Sequence, residues 1–161
     1  MKRIISCIAI VSLLGCVSQK FISKEESQLI PRGSKIIIAK SDKNPIELYE
    51  ILYSSLVDSG FRFQQENAEK LIIATDGKDI GQSTLGRAFF SIKKDSIGSI
   101  LTIRPEWKPS TEAQLGASLF GGMPLHVEWA DAKWGDTGRP EWTFAYFVSI
   151  AKKITNNLSY K

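Results

Sequence analysis

The chain has 161 residues, a formal net charge of +4, two cysteines and one histidine. That length suits one domain able to bury a real core. A single histidine excludes every multi-histidine zinc site and leaves one imidazole base, His126. Lys93-Lys94 and Lys152-Lys153 are isolated pairs rather than a basic run, which argues against nucleic acid as a partner.

Lys2 and Arg3 precede an apolar run over residues 4–14, and Gly15 and Cys16 close it. A spanning helix needs about 20 apolar residues, and polar Ser18, Gln19 and Lys20 follow Cys16 almost at once. A positive start, a short apolar stretch and a small residue before the cut describe a secretory signal. Leu13-Leu14-Gly15-Cys16 further resembles the lipobox of bacterial lipoproteins with a type II signal peptide. This resemblance covers the first sixteen residues. It implies cleavage before Cys16, diacylation of its thiol and acylation of the new N-terminus. One acyl chain anchors only marginally, whereas two or three hold a protein on a membrane. Val17 stands where an aspartate marks inner-membrane retention in enteric bacteria, so the resemblance implies the periplasmic face of the outer membrane. Cys7 would leave with the signal, and the remaining 146 residues would carry a charge of +2. Lipid would then occupy the one cysteine left, removing disulfide, thiol nucleophile and thiolate metal site together.

The expected organisation is a signal peptide over 1–15, a lipidated Cys16 with a polar tether over 16–33, and a single α+β domain over 34–161. Phe21, Ile22, Leu29 and Ile30 would instead permit an arm packed on the domain. Ile36-Ile37-Ile38-Ala39 suits a buried strand. Asn44, Pro45 and Glu47 then form a helix start, and Leu48, Leu52 and Leu56 an apolar stripe at helical spacing. Ser59-Gly60 ends that helix. Phe61 and Phe63 alternate with Arg62 as in a half-buried strand, and residues 64–68 read as a polar turn. Residues 71–74 and 85–93 are strand-like, 95–98 a hairpin turn, and 100–103 its return strand, stopped by Pro105. Residues 107–138 are Gly- and Pro-interrupted, with a short helix expected over 110–120 and a strand over 125–129. Pro140 opens a second long helix with Phe144, Phe147, Val148, Ala151 and Ile154 on one side.

One helix, a run of strands and a final helix predict a two-layer α+β sandwich: a mostly antiparallel sheet with both helices on one face. Over residues 36–75, the strand–helix–strand start with Gly60-Phe61 is similar to small envelope-lipoprotein domains such as outer-membrane assembly factors. Pattern alone carries that likeness, so no site or function transfers through it.

Motifs for catalysis are sparse. His126, Glu128 and Asp131 could begin a metal site, but a metal needs three or four convergent ligands, and a surface histidine beside a carboxylate is the simpler reading. No Gly-x-Ser-x-Gly elbow and no Gly-Lys-Ser/Thr phosphate loop occur. Paired carboxylates have no marked spacing. The better lead is aromatic: Trp107, Phe120, Trp129 and Trp134 as a surface for an envelope protein or a glycan, with Trp142 in the core. The alternative is that the same rings close one side of the sheet. Trp134, between Lys133 and Gly135-Asp136, is the member expected to be exposed. The resulting expectation is a non-enzymatic, membrane-anchored envelope lipoprotein acting as an interaction or assembly module through residues 107–138. It needs no metal or cofactor. A glycan or small-ligand binder is the second reading and a cell-wall hydrolase the third.

Overall fold

The computed structural model of the chain describes residues 20–121 and 127–161. It begins with α1 (Lys24–Leu29), β1 (Ile37–Ser41) and α2 (Pro45–Asp58). Strands β2 (Phe63–Asn67), β3 (Ile72–Thr75), β4 (Lys78–Asp79), β5 (Thr84–Lys94) and β6 (Ser99–Pro109) follow. Then come α3 (Thr111–Leu119), β7 (Ala130–Asp131), α4 (Arg139–Lys152) and β8 (Leu158–Tyr160). All pairings are antiparallel and the sheet is open, in the order β2-β3-β5-β6-β1-β8, with β4 on β5 and β7 on β6. This is the α+β sandwich that the pattern implied.

The start of α2 follows from its first residues. The Asn44 side chain accepts from the backbone N–H groups of Ile46 and Glu47, and Pro45 occupies the first turn, where its missing donor costs nothing. The Glu47 carboxylate pairs with Lys43 instead of completing a capping box. Leu48, Leu52 and Leu56 are fully buried, and Gly60, at φ 75°, closes the helix in the left-handed conformation. α2 and α4 cover one face of the sheet. Beneath them, Ile37, Ile73, Phe90, Leu101 and Ile103 meet Leu52, Phe144, Phe147 and Val148 in one apolar cluster. Strict alternation along β5 and β6 puts the large apolar side chains on that face.

The structure departs from the sequence reading in five places. Residues 64–67 are strand rather than turn: β2 pairs with β3 although four of its five side chains are polar, because as an edge strand it leaves Gln64, Gln65 and Glu66 in solvent. β6 runs through Pro105 to Pro109. Ala88, opposite Pro105, turns its backbone N–H and C=O to Thr75 Oγ1 on β3, so β5 asks no donor of Pro105. On its other side the Pro105 carbonyl accepts from Ala132 N at 2.9 Å, past the end of β1. The chain's last residues form β8, which pairs with β1. The strand expected over 125–129 falls partly outside the described residues, and pairing occurs at Ala130–Asp131 instead.

The fifth departure is the tether. Residues 20–33 are a packed arm, with Ile22 and Ile30 3% and 5% exposed. Phe21 meets Trp142 edge-on at 4.6 Å and Tyr146 at 5.1 Å. Ser23 caps α1, its hydroxyl accepting from Glu26 N while Ser23 N donates to the Glu26 carboxylate. The same carboxylate binds Lys152 on α4. Two aromatic contacts, two buried isoleucines and one ion pair offset the entropy of ordering so polar a segment. Only residues 16–19 of the expected tether lie outside the described residues.

Glu26 makes the arm sensitive to acid. The Lys152 hydrogen bond, then the Ser23 backbone donor, hold its carboxyl below the ordinary 4.5. Ionised Glu26 therefore stabilises the docked arm fully above about pH 4.5, and that contribution fades as pH falls through the lowered value. Amide-exchange protection over residues 24–29 is expected to drop below pH 4 before that of β5 and β6. Glu26→Gln should show the reduced protection already at pH 7.

Candidate functional site

The second face of the sheet has no layer over it among the described residues. Alternation in β5 turns Leu85, Arg87, Phe89 and Ser91 outward, and alternation in β6 does the same for Thr102, Arg104, Glu106 and Lys108. Register sets Arg87 opposite Glu106 and Phe89 opposite Arg104. Phe89 is 37% exposed in the middle of a central strand, where its neighbour Phe90 is wholly buried.

At one end of this face Arg87 is fixed from two directions. Its Nε donates to the Glu106 carboxylate at 2.6 Å. Its guanidinium lies 4.3 Å from the centre of the Trp129 ring, which also has Lys108 Nζ at 4.8 Å. Such stacking suits the flat, weakly hydrated guanidinium. Gly77 is required beside it, because a Cβ there would come within 2.6 Å of the indole. Asp131 on β7 stands opposite Glu106 and pairs with Lys35 at 2.8 Å. Together with Gln64, Ala74, Phe89 and Arg104, these groups edge an open groove of about 480 Å³. Its two carboxylates, Glu106 and Asp131, already accept from cations. Neither a nucleophile with a base nor a group of three metal-ligating side chains stands out among the described residues. The groove offers an apolar ring, paired charges and open sheet, which is chemistry for recognition.

The four aromatic candidates separate. Trp129 belongs to the bare face. Trp107 lies on the helix-covered side, half-buried against the core. Trp134 is 7% exposed and packs on Phe144 at 6.0 Å, so the exposure expected for it is wrong. Its backbone pairs with the arm, Gly33 N donating to Trp134 O and Trp134 N to Ser34 O. That turns Trp134 and Ala132 inward and Lys133 outward. Trp142 is core, as expected, and donates its indole N–H to Ile80 O at 3.0 Å. Phe120 stands alone, 92% exposed at the end of α3, next to Leu119 at 82%. His126 and Cys16 lie outside the described residues, so the His126 pairing with Glu128 does too.

Sequence reasoning missed Arg87, Phe89, Arg104 and Glu106. The signal was present in the alternation Arg87-Ala88-Phe89-Phe90, whose charged and apolar positions assign one side chain series to each face. No protein-family model matches the chain, and no curated protein matches it.

Proposed function

We propose that the chain is a lipid-anchored envelope protein whose domain is a non-enzymatic interaction or assembly module, held by Cys16 at the periplasmic face of the outer membrane. The observation that carries the reading is the bare sheet face, with Phe89 solvent-exposed between Arg87 and Arg104 on paired central strands. A monomer that buries its other face so completely has little reason to leave an aromatic there unless something covers it. The two carboxylates of the groove are engaged by Lys35 and Arg87, which favours recognition over hydrolysis. The glycan reading is less well supported, because cations already flank the Trp129 ring on which a sugar would stack.

Two measurements test the two halves. Palmitate incorporation in a bacterial host should label the protein and vanish in Cys16→Ala. A photocrosslinking residue at position 89 should yield a discrete protein adduct that Arg104→Glu abolishes without changing the melting temperature. Absence of any adduct at position 89 would remove the sheet face as the interaction surface.

A further inference from the structure

α3 carries three of the most exposed apolar side chains: Leu115 at 49%, Leu119 at 82% and Phe120 at 92%. None of its residues is buried, although Ser110 caps it through the N–H of Ala113 and gives it a defined start. No charged residue occurs from Ala113 to Gly121, whereas the charged side chains of the domain crowd elsewhere. Single exposed leucines need no explanation, but a helix with no charge after Glu112 that ends in adjacent Leu119 and Phe120 does.

Its root has a definite position. Ser110 N donates to Ser83 O at 2.9 Å, placing the start of α3 on the β4–β5 loop. That loop is tied to α4 by Trp142 Nε1 donating to Ile80 O and by Arg139 Nε donating to Gln82 O at 3.5 Å. Trp142 is also where the N-terminal arm enters the fold: Phe21 packs on it and Lys20 Nζ stands 5.8 Å from its ring. The arm's entry and the root of α3 therefore share one end of the domain. The hairpin at residues 95–98 marks the other end, across the eleven residues of β5.

Three residues separate Cys16 from Lys20, so at most about 14 Å lies between their Cα atoms. The nine residues of α3 extend about 14 Å. We infer that α3 and Phe120 dip into the surface of the same bilayer that holds the Cys16 anchor, Leu119 and Phe120 entering the acyl boundary. This rests on the lipid-anchor reading of Cys16. The occupant is a lipid surface because a packed arm leaves no long tether to lift this end away, and because an uncharged apolar tip matches the acyl boundary. Lys20, Lys108 and Arg139 at the same end match anionic headgroups.

The test uses the full chain in the membranes of a bacterial host, with a photocrosslinking residue at position 119, 120 or, as control, 97. Ile97 is 87% exposed on the opposite hairpin. Phospholipid adducts at 119 and 120, several times more abundant than at 97, are the expected result. A protein adduct at 120 in place of lipid, or equal and minimal lipid labelling at all three sites, would overturn the inference. Palmitate labelling of the same samples separates the two failures. Palmitate present with no lipid adduct at 120 rejects the apolar tip alone, whereas palmitate absent rejects the anchor and the tip with it.

Discussion

Phe147→Ala is expected to destabilise the domain by about 3–5 kcal/mol. Phe147 is wholly buried on α4 and meets three rings: Phe61 after α2 at 5.7 Å, Phe90 on β5 at 6.1 Å and its helix neighbour Tyr146 at 5.5 Å. Truncation removes the transfer free energy of the ring and leaves a void whose walls belong to separate elements. Those walls cannot collapse without moving a helix against the sheet. Against a typical stability of about 5–15 kcal/mol, such a loss leaves little folded margin. Urea unfolding followed by tryptophan fluorescence should show a lower midpoint with an unchanged slope. Phe147→Leu keeps most of the volume and should cost less than about 1.5 kcal/mol. Equal costs for the two variants would mean that refilling the volume recovers nothing and that the ring contacts themselves carry the effect.

Gly98→Ala is expected to cost about 2–3 kcal/mol, through overpacking rather than backbone strain. Gly98 ends the β5–β6 hairpin, where Asp95 N donates to its carbonyl, and the hairpin lies against the turn between β1 and α2. A Cβ would fall 2.8 Å from Asp42 Cα, 2.9 Å from Asp42 C and closer still to the Ser41 carbonyl oxygen. All three are backbone atoms and cannot swing aside. Relief requires separating the hairpin from the turn, which strains the Ser41–Ser99 pairing and the bond from Ser99 Oγ to Lys43 O. Thermal melting should show a drop of several degrees. Gly116→Ala is the control: nothing lies within 4 Å of its Cβ position, and alanine in the helix interior should be neutral or stabilising by up to about 1 kcal/mol.

Elements whose causes lie within a few residues of one another were legible in the sequence. For α2 the cap, the proline, the stripe and the closing glycine are all local, and the helix forms where they predict. What needed a distant partner was misread. Phe21, Ile22 and Ile30 look like scattered apolar residues in a polar tether, but Trp142 and Tyr146, some 120 positions later, supply a surface for Phe21, and the two isoleucines join the core. Pro105 stops a strand only if a neighbour needs its N–H, and the register turns Ala88 toward Thr75 instead. Trp134 has polar neighbours in sequence, but pairing with Gly33 and Ser34 decides which side faces in. The open face was legible in β5 as alternation, but that no layer covers it among the described residues depends on where distant segments pack. Phe120, named as a candidate because it is costly to expose, is exposed at the end of α3.

β1 sits inside the sheet, yet both its partners arrive late. Ile37 pairs with Ile103 on one side and Tyr160 on the other, 66 and 123 residues downstream. A chain that emerges N-terminus first therefore carries β1 unpaired until β6 has emerged, and paired on one side only until β8 follows. Until residue 160 is free, Ile37-Ile38-Ala39 presents an open edge, the kind of template on which chains aggregate. Nothing local can close it early, so synthesis of β1 and completion of the sheet are separated in time. A helper that shields this segment would act on the nascent chain and have no site left on the finished domain.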